Sequence, residues 1–204
     1  MEPSRPIYNT FHDGGEDLVE EIRLHGTGGQ GVVAAGELIA IAASIEGKFC
    51  RAFPMYGSAR RGAPVVAFAQ IGPESEATRS MIYNPGYLLV LDPELPSTMD
   101  IARGLKEGGV IMHNTSKPPE ESLKLFKAKP SRIGVVDANE IALRVIGRPI
   151  PNTVMLGLFV KTTGLLKLES IEQAIMKRFS GEVAKKNVEA ARMGHDSAKI
   201  MVLG

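Results

Sequence analysis

Apolar residues in this chain gather into short runs that are greasy on both faces and are separated by turns rich in Gly and Pro. Residues 21–25, 48–53, 65–71, 87–91, 109–113 and 133–136 read as strands. Runs such as Tyr-Leu-Leu-Val-Leu at 87–91, stopped by Asp92 and Pro93, suit a largely parallel sheet covered on both sides. Between them, 26–31 reads as a tight glycine loop and Val32–Ile45 as a helix apolar on nearly every side, ended by Gly47. A short helical stretch is predicted over 97–106, and the Lys- and Pro-rich segment 116–131 reads as a solvated connection. Asp137, three residues before Glu140, has the spacing of an N-cap for a helix that Gly147 closes. Beyond the Pro-Ile-Pro turn at 149–151 the pattern is helical to the end. It comprises Asn152–Thr163, a helix with Ser170 and Gln173 as a capping box, and a mostly polar helix over about 183–198. Strands alternating with helices predict a Rossmann-like α/β fold, a three-layer α/β/α sandwich around a mostly parallel or mixed sheet. Residues 1–17 read as an extended arm and 18–204 as a single domain.

Composition narrows the chemistry. With 24 Lys and Arg against 23 Asp and Glu there is no net field to attract nucleic acid or an anionic membrane, so an anionic ligand needs a local cluster. Cys50, the sole cysteine, cannot close an internal disulfide or hold a zinc ion or iron–sulfur cluster by itself. His12, His25, His113 and His195 share no metal-ligand spacing. No stretch reads as a signal sequence or membrane anchor, which predicts a cytoplasmic protein.

Three segments carry candidate binding chemistry. Gly26, Gly28 and Gly31 fit G-x-G-x-x-G between a strand and a helix, where backbone N–H groups and the helix dipole favour an anion. A nicotinamide dinucleotide also requires an acid at the end of the second strand, and none is there. Arg51 instead would suit the 2′-phosphate of NADP. The same glycines would equally let the first helix pack close to the sheet. In the loop 53–64, Phe-Pro-Met-Tyr-Gly-Ser-Ala-Arg-Arg-Gly-Ala-Pro, Arg60 and Arg61 suit phosphates or a partner's carboxylates, or else form a solvated turn. Asn152 and Thr153 stand at a helix start, where Asn caps the helix or offers its amide to a ligand.

Taken together and in order, His-Gly-Thr-Gly-Gly-Gln-Gly at 25–31, the Arg-Arg loop at 53–64 and Ile-Pro-Asn-Thr-Val-Met-Leu-Gly at 150–157 resemble the gamma subunit of pyruvate (2-oxoacid):ferredoxin oxidoreductases, over about residues 21–179. The resemblance implies a subunit without catalytic residues of its own in an enzyme that converts a 2-oxoacid and CoA to acyl-CoA and CO2 and reduces ferredoxin. It implies alpha, beta and delta-type partner subunits carrying thiamine diphosphate, Mg2+ and [4Fe–4S] clusters. It also implies a share in coenzyme A binding for Gly28, Gly29, Arg60, Arg61, Asn152 and Thr153. The Arg-Arg-Gly-Ala-Pro form is similar to the pyruvate branch more than to the 2-oxoglutarate branch, with an aromatic 2-oxoacid such as phenylglyoxylate as the alternative.

Overall fold

A computed structural model describes residues 19–55, 63–73 and 80–203. The arm at 1–17 lies outside the described residues, among which no helix is long and apolar enough to cross a membrane. The strands are β1 (Glu20–Thr27), β2 (Cys50–Met55), β3 (Pro64–Ile71), β4 (Tyr87–Val90), β5 (Val110–Asn114), β6 (Arg132–Val136) and β7 (Lys199–Val202). They form one sheet in the order β2-β3-β1-β4-β5-β6-β7. The centre, β1-β4-β5-β6, is parallel, while β3 runs antiparallel to both β1 and β2, and β7 antiparallel to β6. The sheet is therefore mixed.

The helices are α1 (Val32–Ile45), α2 (Leu95–Thr98), α3 (Pro119–Leu123), α4 (Ala138–Ile146), α5 (Asn152–Thr163), α6 (Leu168–Arg178) and α7 (Gly181–Asp196). The two faces of the sheet are covered unequally. Leu89 and Leu91 point into a large core shared with α1, α4, α5, α6 and α7, whereas Leu88 and Val90 point into a smaller one with Leu95, Ile101, Ile111 and Phe126. Strand alternation divides the residues between these cores.

Helix α5 is the structural centre. Asn152 through Val160 are all buried, because the sheet lies on one side and α7 on the other. Val154, Met155, Leu156, Leu158 and Phe159 are fully shielded, each stabilising the fold by about 1.5–3 kcal/mol. Helix α7 reaches α5 at backbone distance through two glycines. A Cβ on Gly157 would stand 2.0 Å from the Ala191 carbonyl oxygen, and one on Gly194 would stand 2.1 Å from that of Val154.

Four details depart from the sequence expectation. The helix expected over 97–106 is only the single turn of α2, followed by extended backbone at Met99. The Arg23 guanidinium donates to the carbonyls of Ile101 (2.9 Å) and Arg103 (2.8 Å); in a helix through 106 the Ile101 carbonyl would accept the Leu105 N–H instead. The connection 116–131 is not wholly solvated: it forms α3 and buries Ser122 and Phe126, the latter edge-on to His113. The Ser170–Gln173 capping box does not form, since Ser170 lies buried inside the first turn of α6. Instead the Glu46 carboxylate, at the end of α1, accepts the Lys167 N–H (2.7 Å) and the Lys48 ammonium (2.9 Å). Burial pushes the Glu46 pKa up, but these bonds and one from the Ser170 hydroxyl hold it below its ordinary value. Finally, the chain does not stay helical to its end: β7 pairs with the edge that β6 would otherwise leave open.

The α5–α7 contact leaves no room for a methyl group against a carbonyl oxygen. Gly157→Ala is expected to cost about 3 kcal/mol or more, a loss measurable as a lowered Tm of the purified chain.

A glycine loop closed by three distant segments

The glycine loop leaves β1 at the carboxyl end of the parallel strands, beside β4. From β1 the chain turns through α1 towards β2 and β3, and from β4 through α2 towards β5 on the other side. This is a topological switch point, where an open α/β sheet has its crevice.

Two other segments meet the loop there. Thr27 pairs with Pro64, so the loop 53–64 returns to the sheet at the end of β1, and the Gly28 N–H donates to the Ala63 carbonyl at 3.2 Å. On the other flank, Gly31 takes φ +78° at the start of α1, and a Cβ there would lie 2.5 Å from Asn152 Nδ2. Only glycine fits, for its backbone and for the space. Among the described residues helix α1 has no side-chain cap and no acid in its first turn, which leaves its N-terminal N–H groups suited to an anion.

The loop is also braced from within. The Gln30 N–H closes a turn on the Thr27 carbonyl (3.2 Å), while Gln30 Oε1 accepts the Thr27 N–H (2.8 Å). Asp92, at the end of β4, accepts from Thr27 Oγ1 (2.9 Å) and Gln30 Nε2 (2.8 Å) through Oδ2, and from the Glu94 N–H (2.9 Å) through Oδ1. Sequence reading gave Asp92 only the role of a strand stop. Its place at the end of the neighbouring strand depends on strand order, so no local signal marks it.

Of the residues singled out from sequence, Gly28 and Gly29 lie in this loop, with Gly29 exposed at φ +103°. Asn152 faces Gly31, its Oδ1 accepting the Thr153 N–H at 2.9 Å. Thr153 turns away: it is fully buried and its hydroxyl donates to Asn187 Oδ1 of α7 at 3.1 Å. Arg60 and Arg61 lie outside the described residues; of the chain flanking them, Ala63 bonds to Gly28, and Met55 is level with His25 two strands away on β2. Arg51 is remote. Strand β2 is the sheet edge, and Arg51 is level with Glu21, seven residues before Gly28, which is roughly 20 Å along the strand. The NADP geometry, with Arg51 beside the glycine loop, is therefore not present. An open groove of about 560 Å3 between α6 and α7, lined by Met176, Val188 and Arg192 among others, includes no residue of the loop or of α5.

The pyruvate ferredoxin/flavodoxin oxidoreductase family model matches residues 21–197. The chain belongs to that family. The match takes in α7, beyond the 21–179 over which the motifs carry the resemblance. The chain is 48% identical over 183 residues to the pyruvate/ketoisovalerate oxidoreductases common subunit gamma of Thermococcus litoralis, covering 90% of this chain and 99% of that one. Among solved structures it resembles the pyruvate oxidoreductase subunit PORC of Thermotoga maritima, with a TM-score of 0.79 and 42% identity over 91% of this chain and 99% of that one. At 19% identity it shares its fold with 31% of the 2-oxoglutarate:ferredoxin oxidoreductase of Magnetococcus marinus, over 89% of this chain and with a TM-score of 0.68. That structure holds 2-oxoglutarate, coenzyme A and succinyl-CoA.

Two buried histidines flank the crevice. His25 precedes the loop and accepts a hydrogen bond from Arg23 Nε at 2.9 Å; burial, then the Arg23 charge, lowers its pKa to about 3. His113, between Ser122 Oγ (2.8 Å) and the Pro93 carbonyl, is lowered to about 4, chiefly by burial. Both are neutral in the fold, whereas in the unfolded chain each titrates near 6.5. Their contribution is thus complete above about pH 6.5 and falls as pH drops towards the folded values. From pH 7 to pH 5 each is expected to cost about 2 kcal/mol. Denaturant unfolding at the two pH values checks this, and His113→Gln removes the His113 share of the difference.

Proposed function

We propose that this chain is the gamma subunit of a multisubunit 2-oxoacid:ferredoxin oxidoreductase of the pyruvate type. In that enzyme it covers the active site and holds the phosphates of coenzyme A. The observation that carries this reading is the meeting of three segments far apart in sequence. Gly28 is bonded to Ala63 and Gly31 is pressed against Asn152, so the glycine loop, the return of the Arg-Arg loop and the start of α5 form one crevice. The donor set suits a polyphosphate: backbone N–H groups at Gly28 and Gly29 beside an uncapped helix start, guanidinium groups from Arg60 and Arg61, and the Asn152 amide. Thr153 supports that set from behind through α7.

Thiamine diphosphate with Mg2+ and the [4Fe–4S] clusters belong to alpha, beta and delta-type partners, and ferredoxin accepts the electrons from the assembled cytoplasmic complex. The similar Thermococcus litoralis chain is, by its name, common to pyruvate and ketoisovalerate enzymes. A shared gamma subunit suits a role towards CoA, which every such reaction uses, with the choice of 2-oxoacid left to the other subunits.

Anaerobic purification of the tagged chain from its native host is expected to bring down thiamine- and cluster-binding partners. The eluate should reduce ferredoxin with pyruvate and CoA, while the isolated chain shows no turnover. In the assembled enzyme, replacing Arg60 and Arg61 by Ala is expected to raise the KM for CoA at least about tenfold, the loss of one or two charge-assisted phosphate contacts. A monomer that binds NADPH and retains no partner would overturn the reading; activity confined to phenylglyoxylate would move the chain to another substrate branch.

A further inference from the structure

We propose that Asp92 and Gln30 are positioning residues that hold the glycine loop in its ligand-binding shape. They set the affinity for CoA without touching it, an inference that rests on the loop being part of the CoA site. The loop has four glycines among six residues and one internal backbone hydrogen bond, from Gln30 N–H to Thr27, so by itself it has little to select one conformation. Its inner side is fixed instead by a relay of side chains. Thr27 N–H donates to Gln30 Oε1, Gln30 Nε2 donates to Asp92 Oδ2, and the Thr27 hydroxyl donates to that same oxygen. Asp92 is itself held by the Glu94 N–H, and the next carbonyl, Pro93, faces the buried His113 ring at 3.3 Å. The relay crosses from β1 to β4 at the switch point and ties the glycine loop to the parallel sheet.

The sign of the charge makes the assignment specific. A carboxylate near a polyphosphate site opposes binding by repulsion, so Asp92 can favour binding only through the geometry it imposes. Both its oxygens are engaged within the protein. Removing the charge while keeping the bonds to Thr27 and Gln30 therefore should not weaken CoA binding, and removing those bonds should. With its amide oxygen in the place of Oδ2, Asn at position 92 can still accept from both Gln30 Nε2 and the Thr27 hydroxyl, giving up only the Glu94 N–H bond. Ala can accept from neither.

The test uses the assembled enzyme, with KM and kcat measured separately for CoA and for the 2-oxoacid. Asp92→Ala and Gln30→Ala are each expected to raise the KM for CoA about tenfold or more, as a preorganised loop becomes an ensemble, with the KM for the 2-oxoacid within about twofold. The double variant should be no worse than the poorer single one, because both act through one relay. Asp92→Asn should keep the KM for CoA within about twofold of the parent or lower it. If Asp92→Ala fails to assemble, Gln30→Ala carries the test alone. An unchanged KM for CoA in the Ala variants, with a raised one in the Arg60 and Arg61 variant, overturns this inference and leaves the CoA site standing. No change in either set removes the CoA site as well, and an equal rise for both substrates makes the relay merely structural.

Discussion

A helix wrapped on every side must have neighbours that come close enough to leave no gap, and α5 is such a helix. Its sheet-facing side chains complete the main core, and its outer side is closed by α7 across Gly157 and Gly194, where backbone lies against backbone. The direction of α5 follows from contacts at its two ends. Its first residue, Asn152, lies against Gly31, and near its last turn the Thr162 carbonyl accepts from Arg132 at the start of β6. The helix thus runs the full depth of the sheet and presents its first turn at the carboxyl end of the strands. The packing that stabilises the fold is the same packing that delivers an amide side chain to the glycine loop.

The loop depends on this arrangement because its own sequence does little to shape it. Glycines permit the positive φ angles and the close approach of Asn152, but permission is not selection. Selection comes from three directions: Ala63 binds Gly28 from the β3 side, Asn152 limits Gly31 from α5, and Asp92 holds Thr27 and Gln30 from β4. Each brace belongs to a different layer or strand, so assembling the site requires nearly the whole fold.

Much of this was legible in the sequence. Helix α1 begins and ends at the predicted residues, since Gly31 and Gly47 bound a run whose one charged residue before Glu46 is Glu37. The Asp137 side chain caps α4 through the Glu140 N–H at 3.0 Å, and Gly147 closes it at φ +84°, both local effects that act within one turn. The three candidate binding segments also stood out, because glycine between strand and helix, paired arginines and Asn at a helix start are unusual uses of those residue types. The errors arose where a distant group outbid a local preference. Arg23 took the Ile101 carbonyl that a helix through 106 would have used, and Glu46 displaced the capping role given to Ser170. Strand β6 drew the last residues into β7.

Sequence alone determined most of the elements, though not α3 or β7, and which segments carry candidate binding chemistry, because hydrophobic period, helix caps and glycine conformations act over a few residues. Tertiary structure decided strand order, and with it the separation of Arg51 from the glycine loop and the nearness of Asp92 to it. It also decided that Asn152 faces the crevice while Thr153 is spent on α7. These outcomes depend on which strand lies beside which and on how closely two helices can approach, and no local pattern along the chain encodes either.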